Sequence, residues 1–233
     1  MSLKSVYLPD PSFNGNQVQI GGEEHRHLVV ARAEKNELVE IFDGKGHVWM
    51  VHVDSVGKRE TLASLEERRE VLPDPVEIIL AQAMIRAGAF ELALEKAVEI
   101  GMSRIVPFAA ARSNIVSGNR NDRWQRIVIE AAKQSKRYYL PVLDHPVTLD
   151  QVLTMSATSK IMFAERASGP LKSALAGSPV LYLIGPEGGW TDSELTAARE
   201  HGFHLVSLGP TILRAETAAI VGGALIRYEL GDK

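Results

Sequence analysis

Two glycine-rich segments carry the residue types best suited to bind and react with a small molecule. Residues 183–194 read Leu-Ile-Gly-Pro-Glu-Gly-Gly-Trp-Thr-Asp-Ser-Glu, an apolar run followed by glycines and by the Thr-x-x-Glu pattern of a helix start. Residues 208–218 also pass through Gly-Pro, and then present Arg214, Glu216 and Thr217. Glycines at the carboxyl ends of strands let backbone amides approach a ligand closely. The two segments are predicted to share a pocket, although structural turns before capped helices would need the same residues.

Several other chemistries lack their sequence patterns. Neither segment has the spacing of a P-loop or of Gly-x-Gly-x-x-Gly, and the hydrolase patterns Gly-x-Ser-x-Gly and His-Glu-x-x-His do not occur. The chain has no cysteine, which excludes thiol nucleophiles, disulfides and Cys-ligated zinc. His25 and His27 stand beside Glu23 and Glu24, but a metal site needs three or four converging ligands, so we expect no metal.

A third segment, residues 112–140, is basic, with seven Lys and Arg against two acidic residues. Polar and mostly cationic residues recur along its predicted helix at spacings of three and four, which predicts one continuous stripe: Arg123, Arg126, Glu130, Lys133 and Arg137. Such a stripe can bind RNA phosphates, and Tyr138 and Tyr139 can stack on bases. A solvated helix face would show the same pattern, and that alternative remains open.

The elements that must position these residues fall into two parts, separated by the proline pair in residues 72–75. Residues 1–72 predict short strands, with a hairpin of residues 37–42 and 47–53, a strand at residues 61–65 and one helix near residues 24–33; this favours a small barrel or curled sheet. Residues 73–233 alternate strand and helix patterns, which predicts a mostly parallel α/β sheet. The predicted strands are residues 76–80, 104–107, 160–164, 180–184 and 204–208. Between the first two strands, apolar residues at helical spacing from Phe90 to Val98 predict a helix that ends at Gly101.

The composition is that of an ordinary globular protein. The chain has 233 residues, of which 45% are hydrophobic and 24% charged, with a net charge of -3 that argues against a uniformly basic nucleic-acid binder. No run of 18 apolar residues and no signal-peptide pattern occurs, so we expect a cytoplasmic location without membrane contact.

The last predicted helix has an unusual composition. Residues 218–226 are all small or apolar, which predicts a helix buried on every side. Gly222 and Gly223 each cost about 1 kcal/mol of helix propensity relative to alanine. That cost is tolerable if another backbone packs closely, and we expect a subunit partner to supply it.

The two glycine segments also resemble a known family. Gly-Pro-Glu-Gly-Gly-Trp-Thr-x-x-Glu at residues 185–194 and Leu-Gly-Pro-x-Ile-Leu-Arg-Ala-Glu-Thr-Ala at residues 208–218 resemble the signatures of the RsmE family, ribosomal RNA small subunit methyltransferases that use S-adenosylmethionine. Three further stretches agree, at residues 27–32, 95–101 and 123–141. Thr211 departs from the pattern where arginine is common, as does Asn36-Glu37 where Gly-Asp is common.

The resemblance implies a fold and an activity. Residues 1–72 would form a PUA-like RNA-binding barrel, and residues 73–233 a SPOUT methyltransferase domain whose parallel sheet ends in a trefoil knot. The protein would act as a homodimer on 16S rRNA, within the small ribosomal subunit, and methylate N3 of a uridine. Alternatives are a SPOUT methyltransferase for another RNA site, a non-catalytic RNA-binding module, and a nucleotide-binding or phosphate-transferring α/β enzyme.

The same resemblance, with the two glycine loops, assigns roles to individual residues. The residues expected to hold S-adenosylmethionine are Leu183, Gly185, Gly188, Gly189, Leu208, Gly209, Ile212, Leu213 and Thr217. Arg214 is expected to stabilise negative charge on the uracil carbonyl oxygens, and Glu216 to orient Arg214 or act as general base. A structural ion pair between these two residues is the alternative. The residues expected to contact RNA are Arg32, Arg123, Lys133 and Arg137.

Overall fold

A computed structural model describes residues 3–113 and 120–231. The chain divides into two compact units, each with its own sheet. Unit 1 comprises Met1–Pro73 and Ala132–Leu140, and unit 2 comprises Asp74–Ala131 and Pro141–Lys233. This division differs from a single boundary at 72/73, because residues 132–140 pack with the first unit. A linear sequence pattern cannot reveal that a segment from the second part of the chain packs with the first.

Unit 1 is built on a six-stranded sheet in the order β1-β4-β5-β6-β3-β2. Its elements are β1 (Lys4–Tyr7), β2 (Phe13–Asn14), β3 (Gln17–Ile20), α1 (Gly22–Val30), β4 (Leu38–Phe42), β5 (His47–Val56) and β6 (Thr61–Glu70). β1 pairs with β4 in parallel, and the other pairs are antiparallel. The predicted hairpin is confirmed as β4 and β5, and the strand predicted at residues 61–65 extends to Glu70.

Both faces of β4 are covered. Val39 and Ile41 lie in the core of unit 1, as strand alternation predicts. Glu40 and Phe42 on the opposite face are also buried. The segment 132–140 accounts for this, because the ring of Tyr138 meets that of Phe42 with centroids 6.1 Å apart and its hydroxyl donates to Glu40 Oε2 at 2.7 Å.

Unit 2 is built on a parallel sheet, which confirms the predicted α/β class. Its elements are β7 (Ile78–Ala83), α2 (Ala87–Ile100), β8 (Arg104–Ala109), α3 (Asn121–Ser135), β9 (Val142–Leu143), β10 (Val147–Thr148), α4 (Leu149–Leu153), β11 (Ser159–Phe163), α5 (Leu171–Ala174), β12 (Val180–Ile184), α6 (Asp192–Glu200), β13 (His204–Val206) and α7 (Ala215–Leu230). The last four residues of α3 belong to unit 1. The strand order is β10-β8-β7-β12-β11-β13, with β9 beside β8.

The central strands are apolar because helices cover the sheet. Every residue of β12 is buried, as expected of a parallel strand packed on both faces. Helix α2 ends at Gly101, whose φ of 101° places it in the left-handed region that glycine adopts readily. This confirms the predicted glycine stop.

Helix α7 departs from two expectations. In the single chain Leu225 is 42% exposed, and Tyr228, beyond the predicted segment, is 80% exposed, so packing within one chain does not bury this helix on every side. The close neighbours of the two glycines are aromatic rings of the same chain, whereas we expected a partner's backbone. A Cβ on Gly222 would lie 2.6 Å from Phe163 Cε2, and one on Gly223 2.7 Å from the Tyr182 hydroxyl oxygen. Ring packing within the chain therefore accounts for both glycines.

Among the described residues, every helix is too short or too polar to cross a membrane.

Candidate functional site

A cleft of about 1760 Å³ opens at the carboxyl ends of the strands of unit 2. The last residue of β12 and the loop after it, residues 184–190, form one wall, and the last residue of β11 with the loop after it, residues 163–169, contributes to it. Residues 207–214, between β13 and α7, and residues 215–216 at the start of α7 supply several more lining residues. Both glycine segments thus lie along one cleft, as their positions after strands predicted.

The first glycine loop is fixed by its tryptophan. The Trp190 ring is parallel to that of Phe108, with centroids 6.1 Å apart, and its Nε1 donates to the Phe163 carbonyl oxygen at 2.8 Å. A Cβ on Gly185 would lie 2.8 Å from the Trp190 ring, so this position requires glycine. Gly189 requires glycine for another reason, because its φ is 70°.

The helix start after this loop matches the prediction. The Thr191 hydroxyl oxygen accepts the Glu194 N–H at 3.2 Å, and Glu194 Oε2 accepts the Thr191 N–H at 2.8 Å. This is the predicted capping box of α6. Trp190 and Leu195 both pack against the core cluster of unit 2, as a hydrophobic staple requires.

Most of the residues expected to hold a methyl donor line the cleft. Six of them do so, namely Gly185, Gly188, Gly189, Leu208, Ile212 and Leu213. Leu183, Gly209 and Thr217 are not among the described lining residues. Leu183 is wholly buried in the core cluster, because strand alternation turns it to the opposite face from Ile184, which lines the cleft in its place.

Arg214 and Glu216 line the cleft where α7 begins. Arg214 is the exposed N-cap residue of α7, and Glu216 is half-buried in the first turn. In the described part of the chain the two side chains form no ion pair with each other, which contradicts the purely structural alternative. The same geometry gives no contact through which Glu216 would orient Arg214. The positive end of the α7 dipole adds to the charge of Arg214 at this wall.

Four cleft-lining arginines were missed by the sequence analysis. They are all exposed: Arg86, Arg112, Arg166 and Arg199. The first three follow strands β7, β8 and β11, so applying the strand-end rule to every predicted strand would have found them.

The predicted cationic stripe is not continuous. Lys133 is only 5% exposed and its Nζ lies 3.1 Å from Glu24 Oε2, so this part of the prediction is wrong. The last turn of α3 packs within unit 1, and that packing buries the residue. Arg123 is exposed and binds Glu91 through two nitrogens, with Nη2 2.6 Å from Oε2. These hydrogen bonds hold the pKa of Glu91 below its usual value.

The other two residues expected to contact RNA lie in unit 1. Arg137 is half-buried and donates to the Tyr139 carbonyl oxygen at 2.9 Å. Arg32 is exposed just after α1, with a φ of 51°.

The histidines of α1 show no metal-binding geometry. His25 is buried and its Nδ1 lies 2.9 Å from the Thr61 hydroxyl oxygen. Residues 3–113 and 120–231 hold no cluster of three or more His, Asp or Glu side chains placed to bind a metal.

Comparison with known proteins decides the family. Residues 72–227 match the family model described as RNA methyltransferase domain. The ribosomal RNA small subunit methyltransferase E of Synechocystis sp. is 32% identical over 97% of this chain and 77% of its own length. That of Mycobacterium tuberculosis is also 32% identical, over 92% of this chain and 86% of its own.

The chain belongs to the ribosomal RNA small subunit methyltransferase E family. A member from Neisseria gonorrhoeae, solved bound to S-adenosyl methionine, is 30% identical and superposes with a TM-score of 0.92 over 98% of both chains. A putative methyltransferase from Legionella pneumophila, solved in complex with the same cofactor, is 29% identical with a TM-score of 0.93 over both full chains. These similarities place the cleft and its glycine loops in the context of a methyltransferase family.

Proposed function

We propose that this chain transfers a methyl group from S-adenosylmethionine to N3 of a uridine in the 16S rRNA of the small ribosomal subunit. The observation that carries the proposal is one cleft lined by both glycine loops and by Arg214. The printed names of the relatives support a ribosomal RNA substrate, and the cofactor in two similar structures supports the methyl donor.

In this proposal the two parts of the chain have different tasks. Residues 1–72, together with the segment 132–140 that packs with them, are a PUA-like RNA-binding barrel, and the rest of residues 73–233 is a SPOUT domain whose two glycine segments form a trefoil knot. The sheet supports the second assignment, because β12 and β13 both run parallel to β11 and the glycine segments that follow them therefore leave at the same edge. The enzyme acts as a homodimer in the cytoplasm, and the exposed Leu225 and Tyr228 of α7 are suited to a subunit interface.

The described residues fit S-adenosylmethionine. Leu208, Ile212 and Leu213 offer apolar surface to an adenine ring, and Ile212 is 75% exposed. At Gly189 an added Cβ would meet no protein atom within 4 Å, so the loop leaves room beside its backbone. Three residues, Leu183, Gly209 and Thr217, do not line the cleft. In this proposal they belong to the donor site through their backbone groups or as neighbours of the lining residues. Bound here, S-adenosylmethionine supplies the methyl group and its own leaving group.

The protein's catalytic contribution concerns the acceptor nucleotide. Uridine N3 bears a proton that must be lost before the nitrogen can form a bond to carbon. Arg214 is placed to stabilise the negative charge that then develops on the flanking carbonyl oxygens, and the α7 dipole assists it. Glu216 accepts the N3 proton, directly or through water, as general base. Positioning of the two reactants supplies much of the remaining acceleration.

RNA contacts in this proposal come from Arg32, Arg123 and Arg137. Lys133 is left out because it is buried and paired with Glu24. Since few arginines take part, RNA affinity should depend on salt less steeply than in a uniformly basic protein.

Isothermal titration with S-adenosylmethionine, followed by turnover on small-subunit RNA, tests the proposal. Arg214→Ala should bind the donor normally and lose about 100-fold to 1000-fold in kcat. Glu216→Gln should also bind the donor and lose about 100-fold or more. Mapping modified nucleosides in rRNA from cells that lack the protein should reveal one missing 3-methyluridine. Normal turnover by Arg214→Ala would refute the catalytic role, and RNA binding without donor binding would indicate a non-catalytic module.

A further inference from the structure

Two internal hydrogen bonds stabilise a short turn that follows β8. The Ser113 N–H donates to the Ala110 carbonyl oxygen at 3.1 Å. The Ser113 hydroxyl oxygen accepts the Ala110 N–H at 2.9 Å. These two bonds close residues 110–113 into a compact turn, which places Ala111 and Arg112 between its ends. We call residues 110–113 the β8 turn.

Arg112 of the β8 turn lies against the first glycine loop. Its Nη1 donates to the Gly188 carbonyl oxygen at 2.9 Å, across 76 positions of sequence. Its aliphatic stem covers the same residue, because a Cβ built on Gly188 would lie 3.0 Å from Arg112 Cβ and 3.3 Å from Cδ. Glycine at position 188 therefore makes room for the arginine stem, while the guanidinium fixes the carbonyl group.

Glu194 makes a second connection between the same two segments. Its carboxylate is buried, and Oε1 accepts the Ala111 N–H at 2.9 Å. Oε2 accepts the Thr191 N–H at 2.8 Å. One carboxylate thus caps α6 and accepts a hydrogen bond from the β8 turn. The β8 turn therefore contacts the glycine loop at Gly188, through Arg112, and at the start of α6, through Glu194.

We propose that Arg112 and Glu194 are positioning residues, which hold the first glycine loop in the conformation that binds the methyl donor. The identity of the ligand rests on the proposed function above. Residues 185–190 include three glycines, which lose more backbone entropy on ordering than other residues do. Restraining them before the donor arrives removes part of that cost from binding. Capping α6 accounts for only part of the role of Glu194, because a helix cap needs no contact with a turn 83 positions away.

Hydrogen exchange in the donor-free protein tests the restraint itself. The reporter is the Gly189 N–H, which donates to the Pro186 carbonyl oxygen at 2.9 Å inside the loop. Arg112→Met keeps an unbranched stem but has no donor, so this amide should exchange at least about 3-fold faster than in the wild type. Arg112→Lys keeps a charged donor and should be intermediate. Equal exchange rates in the wild type and Arg112→Met would overturn the proposal, whether or not the protein binds S-adenosylmethionine.

Titration with S-adenosylmethionine then tests the link to binding. Arg112→Met should raise the Kd and KM for the donor about 5-fold to 10-fold, as expected for one lost charge-assisted hydrogen bond, with kcat changed less than about 2-fold. Arg199→Met is the matched control, because it removes the same charge from the same cleft. Glu194→Gln keeps one acceptor oxygen and should show a smaller change of the same kind.

Three results separate the possible failures. An increase in donor Kd no greater for Arg112→Met than for Arg199→Met would overturn the positioning role. Equal losses in kcat and in kcat/KM for the donor would also overturn it, because they would indicate a contact made in the transition state. If the wild type itself fails to bind S-adenosylmethionine, the proposed donor site is wrong, and the exchange comparison still decides whether Arg112 restrains the loop.

Discussion

Gly222→Ala is expected to destabilise the protein, although the same change in an exposed helix would stabilise it. Gly222 lies within α7 and is buried. An added Cβ would lie 2.6, 3.1 and 3.2 Å from three atoms of the Phe163 ring. That ring is 6% exposed and meets Tyr182 edge-on with centroids 6.0 Å apart. The ring therefore cannot move away without disturbing the packing of β11 and β12.

The expected magnitude is a difference between two opposing effects. Replacing a helical glycine by alanine gains about 1 kcal/mol of helix propensity. Forcing a methyl group into a packed contact costs about 1–3 kcal/mol. The net loss in the free energy of unfolding should be about 1 kcal/mol, which corresponds to about 2–4 °C in Tm for a chain of this size.

A double-mutant cycle isolates the ring contact. Phe163→Leu removes the two nearest ring atoms, so in that background Gly222→Ala should stabilise the protein by about 1 kcal/mol. The coupling between the two positions should be about 2 kcal/mol. Urea unfolding followed by circular dichroism measures all four proteins. Ala224→Gly, at an exposed position of α7, is the control for propensity alone and should cost about 1 kcal/mol. If Gly222→Ala stabilises the wild type, the packing argument is refuted.

Three further predictions concern other contacts. Arg123→Met removes the hydrogen bonds that lower the pKa of Glu91. The stability that the lowered pKa contributes is present above the unfolded pKa of about 4.3 and is lost as pH falls through the folded value. Urea unfolding should therefore show that the free energy of unfolding decreases less between about pH 5 and pH 3 in the variant than in the wild type. Burial, and then the hydrogen bond to Glu40, raises the pKa of Tyr138 to about 12, so in a pH titration its phenolate absorbance should appear above the ordinary range near 10, and Tyr138→Phe should remove it. Trp190→Phe loses one hydrogen bond to the end of β11 and should lower the free energy of unfolding by about 1 kcal/mol, measured in urea.

Each of these predictions has a contradicting outcome. Parallel pH profiles for the wild type and Arg123→Met would show that the ion pair adds no pH-dependent stability. An unchanged high-pH absorbance step in Tyr138→Phe would assign that step to another tyrosine. A Trp190→Phe variant as stable as the wild type would show that the indole N–H contributes nothing to holding the glycine loop.

Local patterns predicted the local elements well. The β4–β5 hairpin, the capping box of α6 and the glycine stop at Gly101 each depend on residues within a few positions of one another. The change from short strands to alternating strands and helices near the proline pair also predicted the parallel sheet of unit 2. These signals are reliable because turns, caps and amphipathic periods are set by neighbouring residues.

Predictions that depended on distant contacts were less successful. Lys133 has the spacing of an exposed stripe, yet it is buried beside Glu24, which is 109 positions away. Gly222 and Gly223 indicated a close neighbour correctly, but the neighbour is a pair of rings and not a partner's backbone. Periodicity shows which residues share a helix face and says nothing about what covers that face.

The sequence by itself determined the β4–β5 hairpin, the alternation of the main strands and helices of unit 2, the α/β class and the two loops whose glycines leave space for a ligand. The tertiary structure decided which side chains surround that space. Arg86 and Arg112 reach the cleft from the ends of β7 and β8, and Glu194 joins the β8 turn to the glycine loop. The physical reason is that parallel strands bring their carboxyl ends to one edge in an order unlike that of the chain. Residues 76 or more positions apart thereby become neighbours, and no local pattern encodes that pairing.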